Sequence, residues 1–236
     1  MAAHNQRLIE GQRILTTAVS HEIRTPLARM HFALEMLPRL AGKDQALLDG
    51  LGSDVARLEQ ITRAGLSYAR LGWQPTSTRQ AVPLRELFAA VVEQAAPPPH
   101  IALEATHDPG LVLHGDRDAL LLALGNLLAN AFRHARARVH LLAHLEDEGI
   151  ALCVDDDGPG VPPERRHDMF LPFRRHSDDD SGLGLGLALV RVVADRHGAS
   201  SELLTSPWGG ARARLHFPLA SEEGSSNIVT DRDIGT

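Results

Sequence analysis

Cysteine is nearly absent from this chain: Cys153 is the only one among 236 residues. One cysteine cannot form a disulfide within the chain, and such scarcity is typical of proteins from a reducing compartment. Cys153 lies in the apolar segment IALCVDD, which favours a buried strand. We therefore interpret it as a core thiol, with reactive cysteine chemistry as the alternative.

Long hydrophobic runs and an excess of positive charge are missing as well. The longest apolar stretch, ALLLALGNLLANAF, is interrupted by Gly125, Asn126 and Asn130 and falls short of the roughly 20 residues that span a membrane. The opening MAAHNQRLIEGQR is polar, so we expect neither a transmembrane segment nor a signal peptide. The net charge of −6 argues against a general nucleic-acid or acidic-membrane binder.

Residues 8 to 70 have the periodicity of two amphipathic helices. Apolar residues recur mostly every three or four positions over 8–37 and again over 48–65, and PRLAGKD at 38–44 separates the two stripes. A short loop between two long helices predicts an antiparallel hairpin. Because two helices alone bury too little apolar surface to be stable, we expect residues 1–70 to form a dimeric four-helix bundle.

The remaining sequence predicts a linker, an α/β domain and a tail. LGWQPTSTRQAV at 71–82 has the composition of a linker, and residues 221–236 are expected to be disordered. Within 83–220, helical patterns cover 84–96, 116–135 and 185–197, and strand patterns cover 101–106, 111–115, 138–146, 150–156, 200–206 and 211–219. This order predicts a mixed α/β domain with its helices on one face of the sheet.

The stretch AVSHEIRTPLARM, residues 18–30, places His21 beside Glu22 on the first predicted helix. With His21 at 0°, Ile23 and Met30 lie at about 200° and 180°, so the apolar stripe is opposite and His21 faces solvent. An exposed, partly neutral imidazole beside a carboxylate can act as a nucleophile, and Pro26 loosens the helix there. A surface histidine without a function is the alternative.

A pair of helix asparagines forms the first of three candidate nucleotide motifs. GNLLANAFRHA at 125–135 puts Asn126 and Asn130 four residues apart, hence on one helix face, with Arg133 and His134 nearby. An asparagine amide oxygen is a ligand for Mg²⁺, which can bridge phosphates. The alternative is that both amides make hydrogen bonds within a core.

The second motif, VDDDGPGVP at 154–162, follows a predicted strand. Asp156 is placed to hydrogen-bond an exocyclic amine such as that of adenine. Gly158 and Gly160 allow a ligand to approach the backbone closely. The same residues are also typical of a plain turn.

The third motif, SGLGLGLALV at 181–190, runs three alternating glycines into an apolar helix. Backbone N–H groups at a helix N-terminus favour phosphate. The motif is not a Rossmann fingerprint, because position 187 is leucine, and it lacks the lysine of a P-loop.

The segment ERRHDMFLPFRRHSDDD at 164–180 separates the second motif from the third. It is long and charged and contains Phe170 and Phe173, which is typical of a mobile lid pinned by two aromatic residues. Arg174 or Arg175 is a candidate contact for a γ-phosphate.

In this order the motifs resemble the catalytic core of bacterial sensor histidine kinases of two-component systems. SHEIRTPL resembles the H box, NLLANAFRHA the N box, DDDGPG the G1 box, FLPFRR the F box and GLGLGLALV the G2 box. HGAS followed by WGGARARLHFPL resembles the closing strands, so the resemblance covers roughly residues 8–219.

The resemblance implies roles for particular residues. His21 would accept the γ-phosphoryl group, Glu22 would be its general base, and Thr25 would position water for dephosphorylating the partner regulator. Asn130 would ligate Mg²⁺. The implied ATP site comprises Asn126, Asn130, Arg133, His134, Asp156, Gly158, Gly160, Arg175, Gly182, Leu183, Gly184, Leu185 and Gly186.

The resemblance also implies an architecture and partners. The fold would be α+β: a helical hairpin that dimerises, followed by a Bergerat (GHKL) ATP-binding sandwich. The partners would be a second copy of the chain and the receiver domain of a response regulator, with no nucleic acid and no membrane contact by these residues. Family members usually carry membrane spans upstream, so we expect a cytoplasmic protein or the cytoplasmic part of an inner-membrane sensor.

Two other functions share part of the pattern. A GHKL ATPase of another type, such as those related to gyrase, Hsp90 or MutL, would have the nucleotide motifs but needs no outward histidine at position 21. A degenerate kinase that acts as a dimeric scaffold would not need Asn130, Asp156 and three glycines intact. The sequence therefore favours an ATP-dependent protein-histidine kinase.

Overall fold

The computed structural model describes residues 23, 26–33, 49–56, 58–59, 61–62, 65–66, 79–146, 148–172, 174, 184–218 and 228–230. They fall into two compact units, one within residues 1–73 and the other within residues 74–180 and 184–236. In the described part of the chain, no helix is long and apolar enough to cross a membrane.

The first unit is helical in every residue that is described, with its longest continuous stretches at 26–33 and 49–56. Arg29 forms an ion pair with Asp54, which joins the two stretches and compensates the burial of this carboxylate. Ile61 is fully buried. Four large apolar side chains are nevertheless exposed: Leu27, Phe32, Val55 and Leu66.

The second unit contains eight strands and four α-helices among its described residues. In chain order they are β1 Gln80–Pro83, α1 Leu84–Ala95, β2 Ala102–His107, β3 Leu111–Gly115, α2 Arg117–His134, β4 Arg138–Glu146, β5 Gly149–Asp156, α3 Pro163–Arg166, α4 Gly186–His197, β6 Ser200–Thr205, β7 Ala211–Pro218 and β8 Ile228–Thr230. A 3₁₀ helix spans Asp168–Phe170. Together with the helical first unit, this composition confirms the predicted α+β fold.

Five strands form the main sheet in the order β2-β4-β5-β7-β6. Strands β2 and β4 are parallel, because α2 lies between them in the chain, and the other neighbours are antiparallel. The central strand β5 is buried along its whole length. Strands β1, β3 and β8 form a separate three-stranded antiparallel sheet.

The main sheet has an apolar face and a polar face. Buried and partly exposed residues alternate along β4 and β7, as expected for a sheet covered on one side. Helix α2 packs against α1, α4, β4 and β5. On the polar face, Arg214 forms ion pairs with both Glu146 and Glu202, so the open side is held by charged cross-strand pairs.

The C-terminal end of α4 is attached to the start of α2 by His197. Its Nδ1–H donates to the carbonyl oxygen of Val193 (2.7 Å), and Nε2 accepts the backbone N–H of Asp116 (3.0 Å). Asp116 in turn caps α2 by accepting the N–H groups of Asp118 and Ala119. Burial lowers the pKa of His197, and the bond to Val193 only partly offsets this effect.

The predicted helices and strands of the second unit are observed within a few residues of their expected bounds. Two short strands were not expected. Residues 80–82, assigned to the linker from composition, are part of β1 and pair with β3. Residues 228–230, assigned to a disordered tail, form β8 on the other side of β3.

Candidate nucleotide-binding site

Three consecutive aspartates, two at the end of β5 and one directly after it, have different partners. Asp155 points to the polar face, where its oxygens accept Nε–H and Nη2–H of Arg212 at 2.6 and 2.7 Å. Asp156 is 3% exposed and lies on the helix-covered face. Asp157 follows the strand and accepts backbone N–H groups from the loop after α2. Only Asp156 is therefore aimed into the interior between sheet and helices.

The carboxylate of Asp156 is held by backbone groups from two sides. Its Oδ1 accepts the N–H of Gly158 (2.8 Å) and the N–H of Ala211 (3.1 Å). Burial raises the pKa of Asp156, and these two N–H groups partly offset the rise. Since both bonds go to Oδ1, the other oxygen is the one suited to accept a donor from a ligand.

The turn between β6 and β7 supports the Asp156 backbone. Ser206 is 5% exposed, and its hydroxyl donates to the Asp156 carbonyl oxygen at 2.6 Å. The same hydroxyl accepts the N–H of Gly210 at 3.0 Å. A Cβ built on Gly210 would lie 2.2 Å from the Asp156 carbonyl oxygen and 2.6 Å from Oδ1, so only glycine fits there. Neither Ser206 nor Gly210 carries a sequence signal that links it to Asp156.

Two glycines of the second motif allow close contacts. A Cβ on Gly158 would lie 2.5 Å from the carbonyl oxygen of His134, at the end of α2. Gly160 has a φ of +72° and lies against the backbone of Gly209 and Gly210. The turn after β5 is therefore enclosed by the end of α2 and the β6–β7 turn.

Helix α2 carries the asparagine pair along the site. Asn126 is partly buried, and its Nδ2–H donates to the carbonyl oxygen of Leu122 at 2.8 Å. Asn130 is partly buried, Arg133 is exposed and His134 is partly buried one turn further on. Neither asparagine is fully buried. The hydrogen bond of the Asn126 amide within α2 agrees with the alternative interpretation for that residue.

The start of α4 lies beside Asn126. A Cβ on Gly186, the first residue of α4, would come within 3.1 Å of the Asn126 amide oxygen. Gly184 has a φ of +65°, and Leu185 precedes the helix without a side-chain cap. Backbone N–H groups at the start of a helix favour an anion, and within the described residues no side chain caps this one.

The structure places five of the predicted residues in two groups of contacts. Asp156, Gly158 and His134 meet at one end of α2, and Asn126 meets Gly186 at another point of the same helix. Asn130 and Arg133 also lie on α2, Gly160 lies in the turn after β5, and Gly184 and Leu185 come just before α4. Six further predictions fall outside the described residues: His21, Glu22, Thr25, Arg175, Gly182 and Leu183.

A magnesium ion bound through Asn130 fits the chemistry of the described residues. No group of three or more His, Cys, Asp or Glu side chains among them is arranged to hold a metal on its own. Mg²⁺ is usually held by one or two protein oxygens together with substrate phosphates and water. The amide oxygen of a partly exposed asparagine suits this incomplete kind of site, and a closed protein cage is not needed.

Two family models match the chain. Residues 12–72 match the His Kinase A (phospho-acceptor) domain, and residues 115–221 match the histidine kinase-, DNA gyrase B-, and HSP90-like ATPase. The ATP binding domain of PrrB from Mycobacterium tuberculosis is 32% identical, with a TM-score of 0.52 over 61% of this chain and 100% of that one. The chain belongs to the sensor histidine kinase family.

Relatives in this enzyme family match over nearly the whole chain. Sensor histidine kinase CpxA of Escherichia coli (strain K12) is 31% identical over 222 residues, 91% of this chain and 48% of the relative. Sensor-type histidine kinase PrrB of Mycobacterium leprae (strain TN) is 38% identical over 220 residues, 90% of this chain and 49% of the relative. The chain thus spans about half the length of the curated relatives it matches.

A solved structure extends the similarity of fold to both parts of the chain. The Acinetobacter baumannii histidine kinase AdeS has a TM-score of 0.65 and 19% identity over 85% of this chain and 98% of that one. At this identity the similarity supports the fold alone. The predicted combination of a helical phospho-acceptor region with a GHKL-type ATP-binding domain is confirmed by these matches.

Proposed function

We propose that this chain autophosphorylates His21 from ATP and passes the phosphoryl group to an aspartate of a response-regulator receiver domain. The observation that supports it best is the buried Asp156 carboxylate, held on one oxygen by Gly158 and Ala211. A charged acceptor in a buried position selects strongly for a ligand that donates a hydrogen bond to it. The exocyclic amine of adenine is such a donor.

The phosphate end of ATP would lie along α2 towards the start of α4. Asn130 would hold Mg²⁺ together with the phosphates, and the metal would neutralise charge on the transferred group. Arg133 and Arg175 supply positive charge for phosphate oxygens. Asn126 lies against Gly186 at the start of α4, whose first N–H groups would bind phosphate oxygens.

The transfer itself needs an acceptor in line with the γ-phosphate. A ring nitrogen of His21 attacks phosphorus, the bond to the β-phosphate oxygen breaks, and ADP leaves. Glu22 accepts the proton from the other ring nitrogen. Thr25, four residues after His21 in the sequence, orients a water molecule for hydrolysis of the aspartyl phosphate on the regulator. The chain therefore acts as both kinase and phosphatase.

The first unit is proposed to dimerise. Its described residues leave Leu27, Phe32, Val55 and Leu66 exposed although the helices already contact each other through Arg29 and Asp54. Apolar side chains at such positions need a partner surface. A second copy of the hairpin completes a four-helix bundle. Since the matched relatives are about twice as long, we propose that this core is the cytoplasmic part of an inner-membrane sensor.

Replacing His21 tests the acceptor. His21→Gln is expected to abolish acid-labile labelling of the chain by γ-labelled ATP, because no imidazole remains at that position. His31→Gln removes an exposed histidine ten positions further along the chain and is expected to label normally. Labelling of the His21 variant at the wild-type level would refute the assignment, because another residue would then be the acceptor.

Replacing Asn130 tests the nucleotide site. Asn130→Ala is expected to weaken ADP binding in Mg²⁺ by at least about tenfold, the usual effect of removing a group that holds a metal. Gln80→Ala, an exposed amide in β1, serves as the control in the same calorimetric titration. Equal affinities of the wild-type protein and the Asn130 variant would contradict the proposed metal site.

Thr25→Ala separates the two activities. We expect the variant to keep autophosphorylation, which does not use the hydroxyl, and to lose dephosphorylation of the regulator. Autophosphorylation is followed with γ-labelled ATP, and dephosphorylation with a receiver domain that carries the labelled phosphoryl group. Unchanged dephosphorylation by the variant would exclude the role given to Thr25.

A further inference from the structure

Asp157 joins the turn after β5 to the loop between α2 and β4. Its Oδ1 accepts the N–H groups of Arg136 (2.8 Å), Ala137 (3.1 Å) and Arg138 (3.2 Å). Its Oδ2 accepts the N–H of Ala137, at 3.2 Å. One side chain thus binds three successive backbone groups of a neighbouring loop.

The loop that Asp157 binds is the direct continuation of α2. Helix α2 ends at His134, and the carbonyl oxygen of His134 lies against Gly158. Asp157 and Gly158 therefore both attach the turn after β5 to the end of α2. The residue just before them in this turn is Asp156. Movement of this turn relative to the end of α2 would displace the Asp156 carboxylate.

A second contact supports the same loop from outside. The guanidinium carbon of Arg138 lies 5.4 Å from the centroid of the Trp208 ring, a cation–π distance. Trp208 belongs to the β6–β7 turn, whose Ser206 binds the Asp156 carbonyl oxygen. The loop 136–138 is therefore tied to both segments that hold Asp156.

We propose that Asp157 is a positioning residue for adenine recognition, because it fixes the Asp156 carboxylate relative to the end of α2. The inference rests on the proposed function, since it requires Asp156 to bind the exocyclic amine. Asp157 itself does not touch the base. Its effect reaches the ligand through the Asp156–Gly158 turn.

The test compares two nucleotides that differ at the position read by Asp156. Inosine diphosphate has the phosphates and ribose of ADP but carries a carbonyl oxygen in place of the exocyclic amine. The wild-type protein is expected to bind ADP more tightly than inosine diphosphate in calorimetric titrations with Mg²⁺. Asp157→Ala is expected to lower this affinity ratio by about tenfold, the size of one hydrogen bond to a charged group.

The affinity ratio separates positioning from a general loss of structure. A variant that is merely less stable loses affinity for both nucleotides equally, and its ratio stays at the wild-type value. Asp157→Asn is expected to keep most of the ratio, because Oδ1 alone makes three of the four contacts. Asp157→Glu keeps the charge but moves the oxygens, and is expected to lower the ratio even if the alanine variant does not fold.

Asp108→Ala is the matched control. Asp108 is an exposed aspartate whose carboxylate likewise accepts a backbone N–H, from Leu145 at 2.9 Å, but it lies in the loop between β2 and β3. Its ratio is expected to equal that of the wild-type protein. A wild-type ratio in both the alanine and glutamate variants of Asp157 would overturn the inference. A wild-type protein with no preference for ADP would instead contradict the proposed role of Asp156.

Discussion

His197 should make the stability of the second unit depend on pH. Its ring is 2% exposed and bonded at both nitrogens, donating at Nδ1 and accepting at Nε2. Protonation would place a hydrogen on Nε2, facing the N–H of Asp116, and would break that bond. His197→Gln removes the titrating group but leaves an amide oxygen that can accept the same N–H.

The sign of the effect follows from the lowered pKa. The unfolded chain takes up a proton on His197 near the ordinary pKa of 6.5, whereas the folded chain does so only at lower pH. The unfolded state is therefore favoured as the pH falls below 6.5, and the contribution of His197 is fully present above that value. One such proton gives a slope of up to about 1.4 kcal/mol per pH unit until the folded-state pKa is reached.

The measurement is urea unfolding between pH 5 and pH 8, since roughly this range brackets an ordinary histidine pKa. The chain has two tryptophans, and a Trp73→Phe background leaves Trp208 to report on the second unit alone. In this background the free energy of unfolding is expected to fall more steeply with acid when His197 is present than in His197→Gln. Exposed His167 provides the control His167→Gln.

Three results would refute this reasoning. Identical pH slopes for His197→Gln and its parent would show that the ring is not held neutral in the folded protein. A steeper acid loss in the glutamine variant would give the pKa shift the opposite sign. If the free energy of unfolding of His197→Gln were lower by the same amount at every pH, the substitution would report only the poorer fit of the amide. That result would also contradict the predicted difference in slope.

Three further substitutions or reactions probe other parts of the second unit. Gly210→Ala is expected to reduce ADP affinity at least about tenfold in calorimetry, because its Cβ would displace the buried Asp156 carboxylate. Gly125→Ala meets no atom within 4 Å and lies inside α2, so it should stabilise the unit by about 0.5–1 kcal/mol in urea unfolding. Burial raises the pKa of Cys153 to about 11, so alkylation at pH 8 should be slow until the protein is unfolded. Three results would contradict these predictions. They are native ADP affinity in Gly210→Ala, destabilisation by Gly125→Ala, and rapid alkylation of Cys153 in the folded chain.

The helices and main-sheet strands of the second unit could be predicted because their patterns are local. Helix α2 has a cap at Asp116 and apolar positions at helical spacing, and β5 is a continuous apolar run. Strand β1 has only four residues, QAVP, and exists because β3 pairs with it. Short strands of this kind depend on a distant partner, which periodicity does not indicate.

The candidate site was predictable only in part for a similar reason. Glycine-rich and asparagine motifs can be recognised by the spacing of their residues. Asp156 stands directly before one such motif and Gly186 lies within another, so both could be proposed from the sequence. Ser206 is a common turn residue, and its role comes from a hydrogen bond to a carbonyl fifty positions away in the sequence. Nothing in the sequence distinguishes Asp157 from its two neighbours. Its role depends on the loop after α2, whose backbone N–H groups it accepts.

The run Asp155–Asp156–Asp157 looks redundant in the sequence but is not interchangeable in space. Each strand residue points to the face opposite its neighbour, so deletion of one aspartate would turn the next carboxylate from one side of the sheet to the other. Substitution at one of the three positions alters the contacts of that residue alone, whereas a one-residue deletion reassigns the contacts of all three. Engineering of the proposed base contact should therefore substitute Asp156 and preserve the length of the run.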